Sequence, residues 1–169
     1  EEGGKWVSLS PSEQSIFEGE IDFDQPVIGR QKFSLTMLNG NFAHQVAAAR
    51  TFCSKDEVNA LRANGLALGG SLDNAIVVDG DKVLNEGGLR FKEGDEFVRH
   101  KLLDAVGDLS LAGKQIAGKY NSYKGGHYMN NMLVRTLFAD ERNYEVVIEG
   151  SKTSSRASYK AQPDQVACL

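Results

Sequence analysis

The chain has 169 residues, room for one ordinary domain with its own core, since a chain of this length buries roughly two thirds or more of its unfolded surface. A net charge of −4, from 19 Lys and Arg against 23 Asp and Glu, argues against nucleic-acid binding driven by net charge and leaves only a local basic patch open. Two cysteines, Cys53 and Cys168, make no disulfide framework and point to a reducing compartment, the cytoplasm; apolar runs such as Ala75 to Val78 fall far short of the ~20 residues that span a bilayer.

The opening Glu-Glu-Gly-Gly-Lys has no leader-like pattern and no initiator Met, so the chain reads as a piece of something longer or a processed segment. Two strands are expected first, Lys5 to Leu9 and Ile16 to Phe23, joined by the polar Ser10 to Gln14 turn. Pro26 ends the second, and the alternation of Phe33, Leu35 and Met37 predicts a third. Asn39 to Arg50 changes to helical period, with Phe42, Val46 and Ala49 on one face after an Asn cap.

Ser54-Lys-Asp-Glu57 is a capping-box pattern, in which hydroxyl and carboxylate satisfy each other's free helix-start amides. A short helix should follow with Val58 and Leu61 on one face and stop at Asn64-Gly65. Gly69-Gly70-Ser71 is a link, Asn74 to Val78 a strand, Asp79-Gly80 a hairpin turn and Lys82 to Leu84 its return strand, with Leu89 to Phe91 a further edge strand. The longest helix opens at Gly94 or Asp95 and closes at Gly113. Gln115 to Tyr120 reads as strand, Asn121 to Gly126 as loop, His127 to Ala139 as helix and Tyr144 to Ile148 as a last strand. The Ser-, Lys- and Gln-rich stretch from Ser151 to Leu169 reads as a flexible tail. The fold class is α+β, a two-layer sandwich of a mostly antiparallel sheet against helices over residues 1–150, with a small βαβ insert at about 51–79.

On the long helix, His100, Asp104 and Asp108 form one polar stripe, opposite Val98, Leu102, Val106 and Leu109. Imidazole and carboxylate at i and i+4 reach a single divalent ion, although a solvated helix face gives the same pattern and a catalytic zinc normally takes three protein ligands. His127 follows Gly125-Gly126 at a helix start, where free amides favour anions; Lys124 beside it is placed to hold an anionic substrate. A plain helix-cap histidine fits the spacing as well. His44 reads as a boundary residue, and Cys53 has Lys55 but no His near it in sequence, which gives little support to a nucleophile. Gly65 to Ser71 lacks the pattern of a phosphate loop and reads either as a small-residue lining for something apolar or as a tight turn. Thr51 and Phe52 read as hydroxyl donor and apolar wall, or as packing.

Taken together, Ala49-Arg-Thr-Phe52, Leu66-Ala-Leu-Gly-Gly-Ser71, Ala75-Ile-Val-Val-Asp79, Val83-Leu-Asn-Glu86, Leu89-Arg-Phe91, Glu96-Phe-Val-Arg-His-Lys-Leu-Leu-Asp-Ala-Val-Gly-Asp108 and Gly126-His-Tyr-Met-Asn-Asn131 resemble the carboxy-terminal domain of UDP-3-O-acyl-N-acetylglucosamine deacetylase. That family is the zinc amidase that commits Gram-negative bacteria to lipid A. The resemblance implies that His100 and Asp104 are two of three Zn2+ ligands. It makes His127 the general acid toward the departing glucosamine nitrogen, oriented by Asp108, and Thr51 a hydrogen-bond donor to the developing oxyanion. Lys101 would serve both the reacting groups and, with Lys124, the nucleotide-sugar side, and Phe23 would pack on uracil. The insert would form a passage for the hydroxyacyl chain, lined by Phe52, Val58, Leu61, Ala67, Gly70, Ser71, Ala75 and Val77.

The family's third zinc ligand, a His, and its general base, a Glu, come from an amino-terminal domain, and neither has a match here. The resemblance therefore implies a carboxy-terminal half that needs that partner to act on UDP-3-O-acyl-N-acetylglucosamine, with no stable membrane insertion and no nucleic acid. The alternative is a non-catalytic module binding a UDP-sugar or a protein, against which the joint retention of His100, Asp104, Asp108 and His127 argues.

Overall fold

The computed structural model describes residues 3–147. Strands β1 (Trp6–Pro11), β2 (Ile16–Asp22) and β3 (Arg30–Thr36) lead through helix α1 (Asn41–Gln45) to β4 (Thr51–Ser54), helix α2 (Lys55–Ala63), β5 (Ala75–Asp79) and β6 (Lys82–Val83). Helix α3 (Glu96–Ser110), strand β7 (Gly118–Tyr123) and helix α4 (His127–Ala139) follow, with a single 3-10 turn at Glu141–Asn143. One sheet runs β1-β7-β2-β3, antiparallel except for the β2/β7 pair, and a second runs β4-β5-β6. Strands β4 and β5 are parallel and joined by α2, so the βαβ insert and the α+β two-layer class are as the sequence pattern indicates.

Strand β2 shows why the layers form. Phe17, Gly19 and Ile21 are buried and alternate with the half-buried Glu18, Glu20 and Asp22, which gives the sheet one apolar face. Helix α3 lies on that face with Phe97, Val98, Leu102, Ala105 and Leu109 buried. A Cβ on Gly19 would stand 2.7 Å from Leu102 Cδ2, so only glycine lets the helix approach this closely. The second sheet packs Ile76 and Val78 against Phe97 and Val98 of the same helix. Helix α3 thus belongs to both layers.

The hub of this arrangement is Glu96, fully buried at the first turn of α3. Its Oε1 accepts from the Arg50 backbone N–H at 3.1 Å and from Arg50 Nε at 2.8 Å. Its Oε2 accepts from the Arg90 backbone N–H at 2.5 Å and from Arg50 Nη2 at 3.2 Å. Arg50 also donates to the Gly88 carbonyl, and Arg90 to the carbonyls of Ala48 and Asp73.

Two departures from the sequence reading lie beside this hub. The helix expected over Asn39 to Arg50 stops at Gln45: Val46 leaves helical geometry at φ −134°, Ala47 donates to the Phe42 carbonyl five residues back, and the Arg50 N–H goes to Glu96. Asn39 is not its cap: Asn39 and Gly40 both take positive φ, 50° and 79°, and Gly40 stands at the N-cap. Leu89 to Phe91 is no strand, since the Arg90 N–H is spent on the same carboxylate.

Other boundaries shift for local reasons. The strand expected at Gln115 to Tyr120 runs Gly118–Tyr123, in register with β1, which shortens the following loop to residues 124–126. Asp95 is the N-cap of α3 without a side-chain cap bond, because its carboxylate accepts from Arg99 Nε at 2.6 Å. Tyr144 to Val147 form no strand; Tyr144 turns its ring onto Phe138 of α4, with centroids 5.1 Å apart. Ile148 and the tail expected from Ser151 lie outside the described residues. The capping box stands as read, with Ser54 Oγ accepting from the Glu57 N–H at 3.2 Å and Glu57 Oε2 from the Ser54 N–H at 2.7 Å.

Burial works to raise the Glu96 carboxyl, but the Arg50 side chain and the Arg90 and Arg50 backbone donors outweigh it and hold it below its ordinary 4.5. A carboxyl lowered on folding stabilises the fold above about pH 4.5, and that contribution is lost as pH falls below it. Glu96→Gln should cost about 3–5 kcal/mol at neutral pH by leaving Arg50 buried without its counter-charge. Urea melts at pH 7 and pH 4 check this: the gap between wild type and variant should narrow in acid.

Candidate active site

Helix α3 turns a second face, adjoining the buried one, toward a cleft of about 300 Å³ between the two sheets. His100, Lys101 and Asp104 line it, with Thr51 and Phe52 of β4 and His127 of α4. Phe52 stands edge-on to Phe97 at 5.1 Å and to Phe23 at 5.4 Å between ring centroids, and its ring lies 6.2 Å from that of His100. The result is an aromatic wall beside a polar floor.

His100 Nδ1 lies 3.5 Å from Asp104 Oδ2 and, buried, has no hydrogen-bond partner among the described residues. Asp104 Oδ2 also faces Lys101 Nζ at 3.9 Å and His127 Nε2 at 3.8 Å. One carboxylate oxygen is thus ringed by three nitrogens, none at hydrogen-bond distance. Burial lowers the His100 imidazole from its ordinary 6.5, with the Asp104 charge acting in the opposite direction.

His127 is the first residue of α4, after Gly126 in extended backbone. Its Nδ1 lies 2.9 Å from Asp108 Oδ2 and 3.1 Å from Oδ1. Asp108 Oδ2 accepts a second bond, 2.8 Å, from Asn130 Nδ2, and Asn130 Oδ1 accepts from the Tyr120 hydroxyl at 2.7 Å. The carboxylate thus fixes which ring edge of His127 faces inward, leaving Nε2 toward Asp104.

The residues expected to act together divide. His100, Asp104, His127, Lys101, Thr51, Phe52 and Phe23 meet at the cleft, and Asp108 backs it through His127. Lys124 is outside the lining and bonds Asp22 Oδ2 at 3.1 Å. Val58, Leu61, Ala67, Gly70, Ser71, Ala75 and Val77 are also outside it. Ala75 and Val77 lie half-buried on the face of β5 opposite Ile76 and Val78. Val58 is half-buried on α2, and Leu61 of the same helix is exposed. Ala67 takes φ 53°, and Ser71 donates its N–H to Asn74 Oδ1 in an exposed turn.

His44 is exposed and outside the cleft. Burial pushes the Cys53 thiol up, the opposite of what a nucleophile needs, and Lys55 pairs with Asp79. Asn130 and Tyr120 were given no role from sequence. Asn130 stands one turn after His127 on the same helix face, a spacing that points to it; nothing local marks Tyr120.

The sequence pattern of the UDP-3-O-acyl N-acetylglycosamine deacetylase family matches residues 1–139. A curated UDP-3-O-acyl-N-acetylglucosamine deacetylase of Campylobacter lari is 50% identical over 146 residues, 86% of this chain and 49% of that protein. Proteins of the same name from Nitratiruptor sp. and Aliarcobacter butzleri are 49% and 46% identical, over 90% and 93% of this chain and 50% and 51% of their own lengths. The chain spans about half the length of the curated relatives it matches.

An imidazole lowered on folding favours the native state above about pH 6.5, and this contribution declines as pH falls below that value. His100 should titrate below 6.5, and Asp104→Asn should lower it further by removing the opposing charge. Following its ring proton resonance with pH checks both; a rise in the variant would contradict the assigned cause.

Proposed function

The chain belongs to the UDP-3-O-acyl N-acetylglycosamine deacetylase family, and we propose that it is the carboxy-terminal half of a zinc-dependent amidase of the cytoplasm. Its substrate is UDP-3-O-(3-hydroxyacyl)-N-acetylglucosamine, whose N-acetyl group it removes in lipid A synthesis. The observation that carries this reading is the convergence on one cleft of two unlike pairs, His100 with Asp104 and His127 with Asp108.

The first pair suits a metal. His100 Nδ1 is buried without a hydrogen-bond partner among the described residues, 3.5 Å from Asp104 Oδ2, and an imidazole and a carboxylate so placed are residue types that would hold zinc. Among the described residues no three His, Cys, Asp or Glu side chains form a metal-holding group, so the remaining ligand comes, in this reading, from an amino-terminal half. Bound there, zinc supplies Lewis acidity toward the amide carbonyl and water.

The chain's own residues do the rest. The Thr51 hydroxyl donates to the carbonyl oxygen as it gains negative charge, and Lys101 adds positive charge on the same side. A base from the amino-terminal half takes the water proton. His127, doubly protonated and held at Nδ1 by Asp108, gives its Nε2 proton to the glucosamine nitrogen as the carbon–nitrogen bond breaks, which releases acetate and the free amine and leaves the ring neutral as Nδ1–H. Phe23 stacks on the uracil, and Lys124 serves the diphosphate by exchanging its bond to Asp22. The insert's Phe52, Val58, Leu61, Ala67, Gly70, Ser71, Ala75 and Val77 form the acyl passage.

Joined to its amino-terminal half, the protein should release acetate. His127→Ala and Asp108→Ala should each lower kcat by ~10²-fold or more with zinc retained, and the double variant should fall little below the worse single one. Zinc analysis and single-turnover rates check this; loss of zinc in either variant, or multiplied rate effects, would remove the acid assignment. A protein that binds UDP-sugar without turnover would be a binding module instead.

The passage has its own test. Ser71→Leu should reject long acyl chains and spare short ones, since each methylene kept out forfeits ~0.8 kcal/mol of burial. The ratio of kcat/KM for long- and short-acyl substrates reads this out, and an unchanged ratio in the folded variant would place Ser71 outside the passage.

A further inference from the structure

We propose that Tyr120 and Asn130 are positioning residues, a buried relay that fixes the orientation of Asp108 and through it the tautomer of His127. The catalytic consequence rests on the deacetylase reading above; the tautomer does not.

The relay is read from direction. Asp108, as a carboxylate, only accepts, so the atom of Asn130 lying 2.8 Å from Oδ2 must be the amide nitrogen. That orientation turns Asn130 Oδ1 toward the Tyr120 hydroxyl, 2.7 Å away, which must then donate. Tyr120 and Asn130 are each 2% exposed, so water does not compete for either bond. Burial pushes the Tyr120 phenol up to about 12, so it keeps its proton throughout the working range. Every donor in the chain points toward Asp108, and this carboxylate, which only accepts, takes the His127 Nδ1–H at 2.9 Å. Neutral His127 is thereby held as the Nδ1–H form, with Nε2 turned to the cleft.

The backbone is shaped to this chain of bonds. A Cβ on Gly125 would come within 3.3 Å of the Tyr120 hydroxyl and 3.0 Å of both Ser122 and Val7, so glycine there lets the loop close over the phenol. Tyr120 sits on β7 and Asn130 on α4, and the two elements are joined by residues 124–126. The relay therefore also sets the angle at which α4 begins, and His127 is its first residue.

Two measurements test this. In the chain carrying isotope-labelled histidine, nitrogen NMR reads which ring nitrogen of neutral His127 holds the hydrogen. The wild type should show Nδ1–H alone, and Tyr120→Phe and Asn130→Ala should each show a mixture of tautomers. A wild-type ring with its hydrogen on Nε2, or unchanged tautomers in both folded variants, overturns the proposal; the wild-type measurement decides even if neither variant folds. In the enzyme completed with its amino-terminal half, Asn130→Ala should lower kcat roughly 10- to 100-fold and Tyr120→Phe about tenfold, with KM and zinc content unmoved. In an Asp108→Ala background neither change should lower kcat further, because the relay then has nothing to orient. A loss of equal size in both backgrounds overturns the relay in favour of a general packing role. Absence of turnover in the wild-type completed protein would count against the deacetylase reading and leave the tautomer to decide the relay.

Discussion

The buried Glu96 carboxylate is the constraint on which the rest of this structure depends. Its two oxygens collect donors from the segment before β4 and from the loop before α3, and it begins the helix that carries His100 and Asp104. An ion removed from water at this cost is stable only when its lone pairs are filled, and here four bonds from Arg50 and Arg90 fill them. The two arginines then reach outward to the carbonyls of Ala48, Gly88 and Asp73. Through one carboxylate the insert is fastened to α3. Thr51 immediately follows Arg50, and His100 stands one turn after Glu96, so the same contact sets the width of the cleft between them.

A second constraint holds α3 from below. Gly19 admits Leu102 at a distance no side chain would allow, so the helix sits deep on the sheet. Arg99, on the flank, stacks its guanidinium over Phe33 and Phe91 at 4.1 and 4.6 Å from their ring centres while bonding Asp95 and the Gln45 carbonyl. Packing, a buried ion pair and a cation–π stack therefore act on three sides of one helix. The polar stripe is left on the remaining side. Such a site is carried by rigid elements, which suits chemistry that tolerates little error in distance.

The legibility of the sequence follows the range of the interactions. Helix α4 is read to the residue, strand β2 to within one, and the Ser54–Glu57 box in full, because period and capping are local. The polar stripe of His100, Asp104 and Asp108 needs only helical geometry. Arg50 and Arg90 give their backbone N–H groups to the Glu96 side chain, 46 and 6 residues away, and no window on the sequence shows that capture. His127 and Asp108 lie 19 residues apart; spacing alone fits His127 as a site residue or as a helix cap, and only the family resemblance gives it an acid role and pairs the two. Asn130 was within reach of helical spacing. Tyr120 was not, because its partner is on another element.

The state of the polar groups separates the two pairs at the cleft. His127 and Asp108 are satisfied within the chain: the carboxylate accepts from an imidazole and from a buried amide, and that amide from a buried phenol. Among the described residues His100 Nδ1 is buried without a hydrogen bond, and Asp104 Oδ2 faces three nitrogens, all at 3.5 Å or more. A buried donor or acceptor left unmade costs roughly 1–3 kcal/mol, a penalty the fold carries at this pair and avoids at the other. Burial also disfavours the charged form of the His100 imidazole, against the opposing pull of the Asp104 charge. The bonds of the one pair are thus filled within the described residues, and those of the other are left open toward the cleft.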